Sequence, residues 1–84
     1  MTLEALPWWT EADAAELDVL VDAFVRCVRV HREGCAICSL GGPWCDALRC
    51  AQVGVVDWRD SRILRSKAAW LRGRETARAE RAAA

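Results

Sequence analysis

The chain has 84 residues, five cysteines and equal numbers of acidic and basic residues, 12 of each. A chain of this length forms one domain at most and buries only about 60–65% of the surface that it exposes when unfolded, so its stability needs support beyond packing. The first nine residues lack the basic start of a signal peptide, and no uncharged run is long enough to span a bilayer. We therefore expect a cytoplasmic protein without a membrane segment, whose odd number of cysteines suits a metal better than a set of disulfides.

The charges are unevenly distributed along the chain. Residues 1–22 contain six acidic residues and no base, whereas residues 59–81 contain eight bases and three acids. This asymmetry has two interpretations: an acidic first helix lies antiparallel to a basic last helix, or the basic end binds nucleic acid. Eleven of the 12 bases are arginine and alanine is abundant, a bias typical of a GC-rich bacterium or its phage.

The first half of the chain predicts a lead-in at residues 1–9 and a first helix at residues 10–33. Trp8 and Trp9 are expected to fold back onto the core. Thr10 is a suitable N-cap, and Asp13 completes a variant of the capping box. Apolar residues then follow at helical spacing and form one face, which ends with the single histidine: Leu17, Val21, Phe24, Val28 and His31.

The second half predicts a loop at residues 34–43 and a second helix at residues 44–78. Gly34 ends the first helix, and Gly41-Gly42-Pro43 is a strong break before the second. Gly54 is a candidate kink in the second helix, and residues 79–84 are expected to fray. The pattern therefore predicts an all-α fold: a small zinc-stabilised helical hairpin or three-helix domain with a long C-terminal helix.

The most informative motif is H-x3-C-x2-C-x6-C, formed by His31, Cys35, Cys38 and Cys45. Nitrogen and thiolate ligands at this spacing are typical of a tetrahedral zinc site. The four residues join the end of the first helix, the loop and the start of the second helix. With four protein ligands such a site is closed, so we expect one structural zinc ion and no catalytic metal.

Other ligand sets stay open at this point. Cys27 lies one turn before His31 and is an alternative to Cys45 as the fourth ligand. An iron–sulfur cluster held by four of the cysteines is an alternative cofactor. Cys50 lies five residues after Cys45, which places it around the helix, so we interpret it as a core or surface thiol. The remaining interpretation makes the cysteines small buried apolar residues.

The segment His31-x3-Cys35-x2-Cys38 resembles the H-x3-C-x2-C signature of zinc-binding anti-sigma factors. The resemblance covers this motif and the helices around it, about a third of the chain. It implies a small helical cytoplasmic domain that binds a sigma factor and keeps it from RNA polymerase. It also implies that His31, Cys35 and Cys38 bind zinc. In that family a further ligand comes from well upstream, whereas here Cys45 lies downstream.

No catalytic pattern is present, since the chain has one histidine, no tyrosine and no phosphate-binding loop. We therefore expect a non-enzymatic protein-interaction module, a transcriptional regulator of anti-sigma type, that binds a sigma factor or RNA polymerase component. Homodimerisation is expected from the long second helix, and nucleic-acid binding through its arginines is the alternative function. The candidate partner-binding residues are Trp58, Arg62, Arg65 and Trp70.

Overall fold

The computed structural model describes residues 2–84, so Met1 of the lead-in lies outside the described residues. Two α-helices are present, α1 at Glu11–Gly34 and α2 at Asp46–Ala83. Short 3-10 helices lie at Leu3–Ala5, in the lead-in, and at Cys38–Leu40, in the loop between the α-helices. The predicted all-α fold with a long C-terminal helix is confirmed. Of the two arrangements, the hairpin forms, and no third α-helix occurs within residues 2–84.

The start of α1 has the predicted capping box. The Thr10 hydroxyl accepts a hydrogen bond from the Asp13 N–H, and the Asp13 carboxylate accepts one from the Thr10 N–H, both at 3.1 Å. These bonds satisfy two of the N–H groups that a helix start leaves free. At the other end, Cys35 N–H donates to the His31 carbonyl at 2.8 Å, which closes the last turn beside the histidine.

α2 differs from the sequence expectation at three points. It begins at Asp46, with Cys45 as N-cap, rather than at residue 44. It continues through Gly54 without a break, because a single glycine costs a helix only about 1 kcal/mol and nothing lies within 4 Å to require its missing side chain. The segment expected to fray, residues 79–84, is helical up to Ala83, since alanine and arginine favour helix.

The hairpin is long and thin, with extents of 66 × 19 × 19 Å. Its radius of gyration is 18.8 Å, whereas a compact domain of this length has about 12 Å. α2 has 38 residues and α1 has 24, so α2 is about 20 Å longer. Among the described residues only Cys38 and Leu48 are buried apolar side chains. No described helix is sufficiently long and apolar to traverse a membrane.

A polar cluster joins the two helices at the open end of the hairpin; we call it the Asp13 cluster, and it consists of Thr10, Asp13, Arg62 and Ser66. Asp13 is only 4% exposed. Its carboxylate accepts hydrogen bonds from the Arg62 guanidinium at 3.2 Å and the Ser66 hydroxyl at 2.9 Å. Arg62 also forms an ion pair with Glu16. An acidic first helix therefore lies against a basic second helix, as one of the two charge interpretations predicted.

The lead-in packs on α2 next to the Asp13 cluster. The ring centroids of Trp8 and Trp70 are 5.7 Å apart, and the Lys67 ammonium lies 5.2 Å from the centroid of the Trp8 ring. Leu3 and Leu6 line a hollow with Ile63 of α2. Trp8 is therefore part of the intramolecular packing, as expected for the lead-in.

We predict that Asp13→Ala lowers the free energy of unfolding by about 2 kcal/mol, because it breaks the capping box and leaves the half-buried donors of Arg62 and Ser66 without an acceptor. Urea unfolding followed by circular dichroism measures this change. Asp18→Ala is the matched control, since Asp18 is exposed on the same helix. Equal effects of the two substitutions would contradict the role of the Asp13 cluster.

The Asp13 cluster also predicts a pH dependence. Burial alone would raise the pKa of the Asp13 carboxyl, but hydrogen bonds from the Thr10 N–H, the Ser66 and Thr10 hydroxyls and the charge of Arg62 lower it below 3.8. Because the pKa is lower in the folded state, this contribution to stability is present above pH 3.8 and is lost as the pH falls below it. The difference in unfolding free energy between the wild type and Asp13→Ala should shrink in that acidic range.

Candidate metal centre

The four residues of the H-x3-C-x2-C-x6-C motif meet at the closed end of the hairpin. His31 lies in the last turn of α1, and Cys35 follows its final residue. Cys38 begins the short 3-10 helix of the loop, and Cys45 is the N-cap of α2. One nitrogen or sulfur atom from each of the four lies within 4.8 Å of the others, so the group can hold a metal ion.

The turn between the helices explains why residues so far apart in the sequence meet. The 3-10 helix ends at Gly41, whose N–H donates to the Cys38 carbonyl and whose φ is 76°. This left-handed conformation is one that glycine adopts readily, and it turns the chain back towards α1. Gly42 and Pro43 then lead towards the N-cap of α2, so that the Cys45 side chain lies beside His31.

Two nitrogen–sulfur distances within the group are close to those of tetrahedral coordination. His31 Nδ1 lies 3.3 Å from Cys45 Sγ and 3.8 Å from Cys38 Sγ. In a tetrahedral zinc site, bonds of about 2.0 Å to nitrogen and 2.3 Å to sulfur separate these ligand atoms by about 3.5 Å. The group therefore has space for an ion at its centre, with Nδ1 as the histidine ligand atom.

Backbone N–H groups and neighbouring thiols change the pKa values of Cys35 and Cys38. The Cys38 N–H, followed by the His31 side chain and the Ile37 N–H, lowers the pKa of Cys35 to about 6. Cys38 accepts the Cys45 N–H at 3.3 Å, which lowers its pKa, but burial and the adjacent Cys45 and Cys35 thiols together raise the pKa above 9. Cys35 is thus the thiolate available first to a metal at neutral pH.

The two remaining cysteines lie outside the group. Cys27 and Cys50 are both exposed, and neither belongs to the set of ligand atoms that come together. The structure therefore brings together His31 with Cys35, Cys38 and Cys45. It does not bring Cys27 to them as an alternative fourth ligand.

The four candidate partner-binding residues have different surroundings. Arg62 belongs to the Asp13 cluster, and its guanidinium lies 5.0 Å from the centroid of the Trp58 ring. Trp58 is half-buried beside α1, where it lines a hollow with Leu20. Trp70 contacts Trp8 of the lead-in. Arg65 is exposed on α2.

Sequence reasoning recognised Asp13 as a helix-start residue but missed its contacts with α2. The partners are 49 and 53 residues away, and no spacing rule connects them. One signal was present: a serine and an arginine occur one turn apart on the basic helix, opposite an acidic helix. That pattern is too common to identify a contact without the three-dimensional structure.

We predict that metal binding at neutral pH releases protons, because the thiol of Cys38 has a raised pKa and must ionise to bind. Acidification through about pH 6 should weaken metal binding further, since it also protonates Cys35. Calorimetric titration with zinc in buffers of different ionisation enthalpy measures the number of protons released. Release of no protons at pH 7 would contradict coordination by Cys38.

Comparisons with known proteins identify no relative of this chain. No protein-family model, no curated protein and no solved structure matches it. The candidate metal centre is therefore defined by the chain's own residues: a histidine and three cysteines, on three consecutive elements, that are close enough together to hold a metal ion.

Proposed function

We propose that this chain is a non-enzymatic zinc-binding module in which one structural zinc ion holds the helical hairpin together. The observation that carries the proposal is the convergence of His31, Cys35, Cys38 and Cys45 within 4.8 Å. One nitrogen and three sulfur ligands favour zinc over magnesium or calcium, which prefer oxygen. Zinc bound by peptides of this kind contributes about 10–16 kcal/mol of apparent binding free energy, which is large for so small a domain.

The same geometry favours a structural ion over a catalytic one. Tetrahedral zinc with four protein ligands has no free position for water or a substrate. Cys38 is buried, and the other three ligand residues are half-buried, so the ion would have little contact with solvent. The chain supplies no other histidine to act as a general base. The module therefore functions through its surface.

We infer that this surface binds another protein through the outer side of α2. Leu64 is 69% exposed and Leu71, seven residues later, is 43% exposed, so the two leucines lie on the same helical face. Arg65 and Arg72 follow them directly, which favours an acidic partner. The resemblance of the ligand motif to anti-sigma factors makes a sigma factor of RNA polymerase the first partner to test.

We predict that Cys38→Ser abolishes stoichiometric zinc binding and most of the helical structure, because it removes a ligand that closes the hairpin. The matched control is Cys50→Ser, which changes an exposed thiol outside the group. Zinc affinity should fall more than about 100-fold in the first variant, since outer-shell changes alone cost 10–100-fold. Elemental analysis and thermal melting of protein purified without added metal give both readouts.

Two results would contradict the structural zinc site. Equal melting temperatures of Cys38→Ser and Cys50→Ser would show that the ligand group does not stabilise the fold. Iron in place of zinc, with a brown absorption band, would support the iron–sulfur alternative. One zinc per colourless chain would support the proposal.

We predict that the zinc-loaded chain binds a sigma factor, and that Leu64→Glu weakens this binding at least tenfold in calorimetry. Leu40→Glu is the control, since Leu40 is 84% exposed in the loop, away from α2. Binding to DNA that falls steeply with salt, without binding to any sigma factor or RNA polymerase, would instead identify a nucleic-acid-binding protein.

A further inference from the structure

Helix periodicity places four exposed valines on one side of the hairpin: Val21 and Val25 of α1, and Val53 and Val56 of α2. We call this surface the valine face. Their exposed fractions are 41%, 48%, 57% and 38% in that order, although valine is a residue that usually packs inside. A contiguous apolar patch on a small protein indicates an interaction site.

The position of these valines on one side follows from helix periodicity and one observed hollow. Val19 directly precedes Leu20, which faces α2, and Trp58 directly precedes Arg59, which is half-buried on α2. Val19 and Trp58 line the same hollow, so positions that precede inward residues share one side of the hairpin.

Val21, Val25 and Val56 directly follow the half-buried residues Leu20, Phe24 and Val55. They therefore lie on the other side, where Val53, one turn before Val56, joins them.

Contacts at both ends of the hairpin place the four valines at the same position along its long axis. Glu16 pairs with Arg62 at the open end, and His31 lies against Cys45 at the closed end. Counting inward from these pairs places Val21 beside Val56 and Val25 beside Val53. The valine face is thus a compact patch at the middle of the hairpin.

The amount of exposed surface indicates that a large area is available for association. The chain exposes 6421 Å², whereas a compact monomer of 9.4 kDa exposes about 5,000 Å². The excess of about 1,400 Å², which includes the end of α2 beyond α1, is larger than the roughly 800 Å² that each partner buries in a standard interface. Because residues 2–84 contain two buried apolar side chains, the hairpin gains stability from a partner that covers its apolar side.

Charged residues flank the valine face in a pattern that is complementary to itself. On α1, Asp18 precedes the valines and Arg29 follows them, and both directly follow inward-facing residues, Leu17 and Val28. On α2, which runs in the opposite direction, the basic residue comes first in the sequence and the acidic residue second, so both helices have the base nearer the closed end. Arg49 lies near the closed end and Asp60 near the open end. The α1 rim of the face therefore runs from Arg29 near the metal centre to Asp18 near the open end. On α2, Arg49 lines a hollow with Asp46, and Asp60 pairs with Arg59 at 3.1 Å.

We propose that a second copy of this chain packs on the valine face in the opposite direction, forming a two-fold symmetric four-helix bundle. In this arrangement α1 crosses its copy with Val21 opposite Val25, and the same two-fold axis places Asp18 opposite Arg29. α2 crosses its copy with Val53 opposite Val56, which places Arg49 opposite Asp60. A parallel arrangement instead brings like charges together, and it places the two lead-ins, which both pack beside Ile63, at the same end.

The dimer makes a second copy of the chain a partner of the proposed module. It rests on the proposed function, because it requires the folded hairpin. Light scattering after size-exclusion chromatography of the zinc-loaded chain should give twice the mass of 9.4 kDa. Val53→Glu should raise the dissociation constant at least 100-fold, because it places carboxylates in an apolar contact on both sides of the axis. The control Val19→Glu, at a valine that is 66% exposed on the other side, should leave the dimer intact.

A charge exchange tests the antiparallel direction. Asp18→Arg and Arg29→Asp should each weaken the dimer about tenfold, since each places like charges opposite one another at two symmetric positions. The double variant carrying both substitutions should restore wild-type affinity. Neither residue contacts the metal ligands or the Asp13 cluster, so the hairpin itself is expected to be unaffected.

Several results would overturn the proposal. A monomer at 100 µM that is helical would exclude the dimer, and a dimer weakened by Val19→Glu but not by Val53→Glu would place the contact on the other side. Failure of the double charge variant to regain affinity would exclude the antiparallel arrangement. Zinc content and the far-ultraviolet circular dichroism spectrum report separately on the module, so a chain that binds no zinc contradicts the proposed function while its mass still decides the dimer.

Discussion

The structure depends on the few contacts that hold its two helices together, because the hairpin has almost no apolar interior. Cys38 and Leu48 are the only buried apolar side chains among residues 2–84, and Cys38 belongs to the ligand group. A hairpin of this length and shape buries little apolar surface to set against the loss of chain entropy. The histidine and three cysteines that converge at the turn can hold a metal ion, and an ion bound there would join α1, the loop and α2.

The two ends of the hairpin are fixed by different chemistry. At the closed end the ligand group joins α1, the loop and the start of α2. At the open end the Asp13 carboxylate receives hydrogen bonds from its own helix start and from Arg62 and Ser66 of α2. The lead-in adds Trp8 against Trp70 next to this cluster. Between the two fixed ends the helices are in contact over a narrow strip, which leaves valines on both sides exposed.

The fold class and the composition of the metal group could be predicted from the sequence, because both depend on local spacing. Apolar residues at helical intervals, the Thr10 capping box and the glycines before Pro43 identify two helices and a turn. The H-x3-C-x2-C-x6-C spacing brings four ligands to that turn. α2 continues through Gly54 because a single glycine costs a helix only about 1 kcal/mol. The contacts of the Asp13 cluster, by contrast, depend on which residues meet across the hairpin. Those contacts join residues about 50 positions apart, and no local pattern determines them.

The separation of these contacts along the chain has a consequence for the order of folding. His31 and Cys45 are 14 residues apart, whereas Asp13 and Ser66 are 53 apart. Closing the shorter loop costs about 1 kcal/mol less chain entropy, and the gap between the helices spans only the 3-10 turn. We therefore expect the turn with its ligands to form first and the helices to associate progressively from that end, as is typical of a chain dominated by short-range contacts. On this expectation the Asp13 cluster closes last, and its opening is the first step of unfolding.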